Sequence, residues 1–227
     1  MRERFKDRKT WERLMKEITE MVEIRGGADK IVFTDENPDL NGKTLQDKAR
    51  EWRLSVPETS MRILTENDGV GVMNRYLYDP ENAKYLAQQE WMMTCTDGGT
   101  PAFGEGIVHP RSYGSFTKKL REYVYQQKVI SLPFAIRGMT GLAATFFGVQ
   151  DRGFIREGQK ADIVVLDEAR IRDLATYEQP HQYSEGTVHV LINGKFAFRD
   201  GAPTGNLAGR GLPRPGSAPA GRTTSKP

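Results

Sequence analysis

Asp97 is followed by Gly98 and Gly99 and preceded by the apolar-leaning run Trp91-Met92-Met93-Thr94-Cys95. If that run is a strand, it ends in a carboxylate followed by glycines, which is where barrel enzymes place catalytic groups. A carboxylate there can touch a metal ion and shuttle a proton in one place. Taken alone, Asp97-Gly98 reads first as a turn, because Asp-Gly is a common turn pair. The loop that follows carries His109-Pro110-Arg111-Ser112-Tyr113. An arginine can grip a carboxylate with two parallel bonds, although loop arginines are mostly exposed. His109 precedes a proline and reads as structural. Cys95 shares Asp97's side of a strand; free cysteine is usually buried, so Cys95 reads as a small buried hydrophobe.

The elements that must position these residues fall into two parts. Trp11, Leu14, Met15, Ile18 and Val22 predict a first helix, with Thr10 as its cap and Gly26-Gly27 as its stop. A short strand at 30–34 follows, then helices over about 44–53 and from Pro57 to about Asp68-Gly69. Val70 to Met73 is a candidate buried strand, and Asp79-Pro80 opens a helix to about Gln89. Together with Trp91–Cys95 this is a strand, helix, strand pattern, the signature of βα units with parallel strands. Helices are expected around Phe116, Leu120, Tyr123 and Val124, over 133–139, and from Thr140 to Phe147. From Gly153 the character changes to short β-type runs bounded by glycines. Ile163–Leu166 is one; Val188–Ile192 and Lys195–Phe198 flank Asn193-Gly194, a strong hairpin signal. From Ala202 onward, five of the twelve prolines and no apolar periodicity predict a disordered tail.

Composition narrows the class. Of 227 residues, 37% are hydrophobic and 28% charged, and 33 basic against 30 acidic residues leave a net charge of +3. The basic residues are scattered, which argues against a nucleic-acid partner. The single cysteine forbids an intrachain disulfide and fits a reducing compartment. The N-terminus has no apolar signal core, and no apolar run approaches the ~20 residues that span a bilayer. A cytoplasmic location without a membrane partner is the expectation. Gly69-Val-Gly71 lacks the third glycine of a dinucleotide loop, and Gly98–Gly104 lacks the lysine of a phosphate loop.

Two stretches resemble a known family. Met93-Thr-Cys-Thr-Asp97-Gly98 with His109-Pro-Arg-Ser-Tyr-Gly-Ser-Phe116 resembles the end of the catalytic barrel in N-acyl-D-amino-acid deacylases, the D-aminoacylase branch of the amidohydrolases. Asp151-Arg-Gly-Phe-Ile-Arg-Glu-Gly158, Ala161-Asp-Ile-Val-Val-Leu-Asp167, Val190-Leu-Ile-Asn-Gly194 and Asp200-Gly201 resemble the closing segment of amidohydrolases broadly. Weaker similarity reaches back to about residue 28. The resemblance implies an α/β chain holding the last βα units of a metal-dependent-hydrolase TIM-type barrel, followed by a small β-sandwich segment. On that basis residues 1–152 are the barrel part with an inserted helical segment, 153–201 the β-sandwich segment and 202–227 the tail.

The implied function is hydrolysis of linear amide C–N bonds, freeing N-acyl-D-amino acids, small-molecule substrates, of their acyl group by a zinc-activated water. In that reading Asp97 is both metal ligand and proton acceptor, Arg111 binds the substrate's α-carboxylate, and Tyr113 lines the same pocket. The sequence departs from the family in its metal ligands. It has no His-x-His pair, and His109, His181 and His189 do not match the family's positions. A catalytic zinc takes about three protein ligands, and only Asp97 can be assigned. Eight βα units take ~250 residues, so a separate N-terminal barrel segment is implied, and the chain by itself is expected to be inactive. The alternatives are a truncated non-catalytic remnant or small-molecule-binding module, and a cyclic-amide hydrolase of the dihydroorotase or hydantoinase type.

Overall fold

The first helix is present as α1, Arg8–Ile24. It is capped by Asp7, whose carboxylate accepts the Thr10 N–H at 2.8 Å. Thr10 itself already lies in the first turn, where its side chain cannot serve as the cap. Gly26, at φ 83°, supplies the left-handed residue that ends the helix. The structure, a computed structural model, describes residues 7–212 except Glu36, Asp68, Leu77 and Pro101. Its contacts divide the chain into two compact units. The first draws on Met1–Ala83, Gly98–Ser112 and Ala175–His181, and the second on Lys84–Asp97, Tyr113–Leu174 and Gln182–Pro227.

In the first unit β1 (Ile31–Phe33) pairs antiparallel with β2 (Val72–Asn74) in the register Val32↔Met73. Between them lie α2 (Leu45–Trp52) and α3 (Val56–Glu66). Both helices begin with a reciprocal cap: Thr44 with Asp47, and Ser55 with Glu58. Ala28, Ile31, Phe33, Leu40, Leu45 and Ile63 form the core of this unit. Lys48 is buried beside it. Its ammonium meets Glu51 Oε1 at 2.7 Å and lies over the Trp52 ring at 4.4 Å.

The second unit begins with the C-terminal half of α4 (Pro80–Ala87), a helix whose first turn is capped by Asp79. Apart from Arg111 and Ser112, α5 (Arg111–Lys118) lies here and runs on into π-helical turns over Lys119–Gln126. Leu120 and Val124 of these turns pack with Ile130, Ala135 and Ile171. Next come α6 (Leu132–Met139) and α7 (Gly141–Phe146). Thr140 precedes α7 without capping it, because its hydroxyl donates to Ile136 O at 2.7 Å. A four-stranded antiparallel sheet follows: β3 (Ile163–Leu166), β4 (Thr187–Ile192), β5 (Lys195–Arg199) and β6 (Ala202–Pro203), in that spatial order. Asn193 and Gly194 both take positive φ, 49° and 77°, as a tight hairpin turn requires.

Three expectations are corrected. Trp91–Cys95 is not a strand. Thr94 N–H donates to Gly138 O at 2.9 Å, so the run is fastened to the end of α6 and has no strand beside it to pair with. The described strands are antiparallel rather than parallel, because β2 turns back onto β1. The stretch from Ala202 is not structureless throughout. Ala202–Pro203 extends the sheet, and Asn193 Nδ2 donates to Ala208 O at 2.8 Å. Residues 213–227 of the expected tail lie outside the described residues.

Candidate functional site

Asp97 closes an irregular stretch. Its φ of 47° is left-handed, a conformation aspartate tolerates better than most residues. The turn brings its N–H to Cys95 Sγ at 3.3 Å and leaves the Asp97 side chain exposed. Cys95 is also exposed. Its expected burial depended on a strand with a covered face, and that strand does not form. Gly98 has a packing reason of its own, since a Cβ there would lie 3.0 Å from the Ser112 backbone.

Arg111 is the first residue of α5 and is exposed. Its N–H donates to His109 Nδ1 at 3.1 Å. With Nδ1 accepting, the neutral imidazole carries its proton on Nε2, which faces the Tyr177 hydroxyl at 3.2 Å. The Tyr177 ring stands edge-on to His109 at 5.1 Å and to Tyr76 at 5.0 Å. Tyr177 therefore holds the ring that holds the start of Arg111's helix. Sequence reasoning missed it, because 68 residues separate the pair and no motif marks Tyr177.

Tyr113 is half-buried, edge-on to Tyr183 at 5.5 Å, and its carbonyl accepts from Ser184 Oγ at 2.9 Å. Desolvation pushes its hydroxyl above the usual tyrosine range, with Tyr183 adding to the effect, so it stays a neutral phenol. Lys119 was also missed. Its half-buried ammonium meets Thr94 Oγ1 at 2.8 Å, and desolvation pulls it below the usual lysine range. Arg121 grips Asp173 at 2.6 Å and 3.4 Å. Gly114 allows that carboxylate close to α5, since a Cβ would sit 2.9 Å from Asp173 Cβ. Asp97 and Tyr113 belong to the second unit and Arg111 to the first.

Among the described residues, no group of three or more His, Cys, Asp or Glu is placed to hold a metal ion. The histidines are committed elsewhere. His181 Nδ1 accepts from Gly104 N–H at 3.1 Å and its Nε2 meets Gly106 O at 2.8 Å. His189 Nδ1 accepts from Asp200 N–H at 3.2 Å. The residues present do not by themselves fit a zinc ion.

Known proteins resemble this chain over most of its length. Residues 103–198 match the amidohydrolase family. The N-acyl-D-glutamate deacylase of Alcaligenes xylosoxydans xylosoxydans is 32% identical over 188 residues, 83% of this chain and 37% of that protein. The N-acyl-D-aspartate deacylase of the same organism is 45% identical over 97 residues, 43% of this chain and 19% of that one. Among solved structures, the N-acyl-D-glutamate deacylase from Bordetella bronchiseptica, complexed with zinc and a phosphonate inhibitor, matches with a TM-score of 0.68 at 30% identity. That match covers 80% of this chain and 38% of that one. A D-aminoacylase with a binuclear metal center matches with a TM-score of 0.70 at 30% identity, covering 79% and 37%. The resemblance to N-acyl-D-amino-acid deacylases is thus borne out over most of the chain, in sequence and in a mixed α/β fold. The chain spans about 37% of the length of the relatives it matches over most of its own length.

Proposed function

We propose that this chain is the C-terminal part of a hydrolase that removes the acyl group from N-acyl-D-amino acids, and that it works only with the rest of the enzyme. The observation that carries this is the match over about four fifths of the chain, at 30% identity and TM-scores of 0.68 and 0.70, to an N-acyl-D-glutamate deacylase and a D-aminoacylase. In this reading residues 1–152 belong to the closing βα units of a TIM-type barrel with an inserted helical segment, and 153–201 to a β-sandwich. The Trp91–Cys95 run becomes a strand only beside barrel neighbours, since an extended segment needs a partner for its N–H and C=O groups.

The chain's own side chains supply three roles. The exposed Asp97 carboxylate takes the proton of the attacking water and passes one to the leaving nitrogen. Arg111 holds the substrate's α-carboxylate, and Tyr113, kept neutral, lines the pocket as a donor. The relatives imply zinc, and its other ligands would come from outside this chain. A reducing, cytoplasmic setting and the absence of nucleic-acid and membrane partners agree with the lone cysteine and the scattered charge. No described helix is long and apolar enough to cross a membrane.

A second reading, a non-catalytic remnant that binds a small molecule, is favoured by the lack of a metal-holding group among the described residues. One experiment separates the two. The purified chain is assayed on N-acetyl-D-glutamate with zinc, alone and mixed with the part of the Alcaligenes N-acyl-D-glutamate deacylase that it does not match. Turnover is expected only in the mixture, falling by roughly 10²–10⁴-fold in Asp97→Asn, the range for loss of general acid–base catalysis. Arg111→Lys is expected to raise KM more than it lowers kcat. An inactive mixture in which the chain still binds the acyl-amino acid would favour the second reading. Equal turnover of the L-enantiomer would overturn the substrate class.

A further inference from the structure

The run that leads into Asp97 is gripped by α6 and by the π-helical turns, and every group in that grip belongs to the second unit. Arg137 Nη1 donates to Glu90 O at 2.7 Å, and Thr94 N–H donates to Gly138 O at 2.9 Å. Gly138 lets α6 come this close, since a Cβ there would lie 3.2 Å from Met92 O. Thr94 is held a second time by Lys119, whose ammonium donates to Oγ1 at 2.8 Å. The same Cβ position at Gly138 lies 3.7 Å from that hydroxyl and 3.9 Å from Nζ, so the three groups meet in one place. Lys119 opens the π-helical turns, and such widened turns recur at functional sites. The cations beside it take carboxylates, Lys118 with Glu122 and Arg121 with Asp173. Among the described residues no carboxylate pairs with Lys119. Drawing an ammonium half out of water without a counter-charge is unfavourable, and desolvation pulls this one below the usual lysine range. An apolar side chain would fill the same place without that penalty, so it is the donor that the place uses.

Beyond Thr94 the chain reaches Asp97, which is left-handed at φ 47°. A residue other than glycine stays in that region only where its surroundings hold it. We propose that Lys119 is a positioning residue for Asp97: it fixes the Thr94 side chain while Gly138 fixes the Thr94 N–H, and together they set the backbone that carries the Asp97 carboxylate. The catalytic meaning of that placement rests on the proposed function; the grip on the backbone does not. A single bond at the Thr94 N–H would let the peptide rock about it. A second bond to the side chain, from a different element, removes that freedom. The slack between Thr94 and Asp97 is short, about 10 Å of chain at most, so a shift at Thr94 is passed on. Small displacements of a reacting group are costly in rate. Lys119 acts through Thr94, so its loss should fall on kcat, whereas KM should follow Arg111's hold on the α-carboxylate.

The test uses Lys119→Met and Thr94→Val, singly and together, in the full chain. In the chain alone, each should speed amide exchange over residues 94–97 roughly tenfold without lowering the global melt. Each should also move the Asp97 carbon-13 shifts away from left-handed values. The double variant should do no more than either single one, as partners in one contact do. In the mixture with the unmatched part of the Alcaligenes N-acyl-D-glutamate deacylase, each should lower kcat on N-acetyl-D-glutamate roughly tenfold or more and leave KM nearly unchanged. Lys119→Arg keeps a charged donor and should recover most of that kcat. If Lys119→Met fails to fold, Thr94→Val still decides, because it removes the acceptor at nearly constant shape. Local loosening in the chain alone, beside a mixture that is inactive even with the unaltered chain, supports the grip and counts against the proposed function. Loosening that only tracks the global melt overturns the positioning role and leaves Lys119 as packing. A rise in KM with kcat kept also overturns it, making Lys119 a contact to substrate.

Discussion

Ile31-Val32-Phe33 and Ile163-Val164-Val165-Leu166 are nearly the same kind of sequence, and the chain treats them in opposite ways. In β1 the three residues are 8%, 0% and 3% exposed, whereas Val164 and Val165 in β3 are 55% and 41% exposed. β-propensity does not separate them, since every residue of the two runs except Leu166 is β-branched or aromatic. The difference is cover. Leu40, Leu45 and Ile63 close over β1 from within the next thirty or so residues. Among the described residues, nothing comparable closes over the outer side of β3. A strand's burial is thus a property of its neighbours as much as of its own residues.

Mutation of the two strands gives the largest expected effect and can break this comparison. Phe33→Ala should cost about 3–5 kcal/mol, the usual range for emptying an aromatic site in a core. Val164→Ala in the free chain should stay within about 0.5 kcal/mol, as exposed substitutions do. Urea unfolding of both variants measures the contrast. A Val164→Ala cost rivalling that of Phe33→Ala would mean that the chain covers β3 itself.

A smaller effect sharpens the same contrast through pH. The first unit fastens its helices with reciprocal caps. The Glu58 carboxylate accepts the Ser55 hydroxyl, at 2.5 Å, and the Ser55 N–H, at 2.9 Å. Those bonds hold Glu58 below the usual carboxylate range, the hydroxyl contributing most. A carboxyl whose folded value is depressed stabilises above its unfolded value, about 4.3 for glutamate, and that contribution is lost as pH falls through the folded value. Exchange protection in α3 should therefore decline between about pH 6 and about pH 3. Glu58→Gln should flatten that decline, and loss of the cap in Ser55→Ala should cost about 1 kcal/mol near neutrality. An equal acid decline in Glu58→Gln would place the sensitivity elsewhere.

These elements were legible in the sequence to different degrees, for physical reasons. Helix boundaries marked by Thr44, Pro57 and Asp79-Pro80, and the Asn193-Gly194 hairpin, are local signals, and the structure follows them. The 91–95 strand was misread because periodicity reports what a run could bury and not whether a partner strand is there. Cys95 was misplaced for the same reason. Asp97, Arg111 and Tyr113 were singled out through motif resemblance, a signal carried by neighbours along the chain. Tyr177 and Lys119 reach their partners, His109 and Thr94, across 68 and 25 residues. No local pattern encodes such contacts.

The smallest expected effect concerns Tyr177, and it tests how far the first unit satisfies its own polar groups. His109 can accept the Arg111 N–H at Nδ1 only while its proton stays on Nε2, and the Tyr177 oxygen facing Nε2 favours that tautomer. Tyr177→Phe removes that oxygen and keeps the ring packing against His109 and Tyr76. The loss to global stability should be at most about 1 kcal/mol, the scale of one partly exposed neutral hydrogen bond. The local signature should be clearer than the melt. Nitrogen-15 shifts of the imidazole should move toward a mixture of tautomers, and the Arg111 amide should exchange faster as its acceptor is partly lost. Phenylalanine is the right replacement because a general loosening from a lost ring would also speed exchange, without the tautomer shift. An imidazole spectrum unchanged by Tyr177→Phe would show that His109 keeps its tautomer through other contacts, and Tyr177 would then be packing alone.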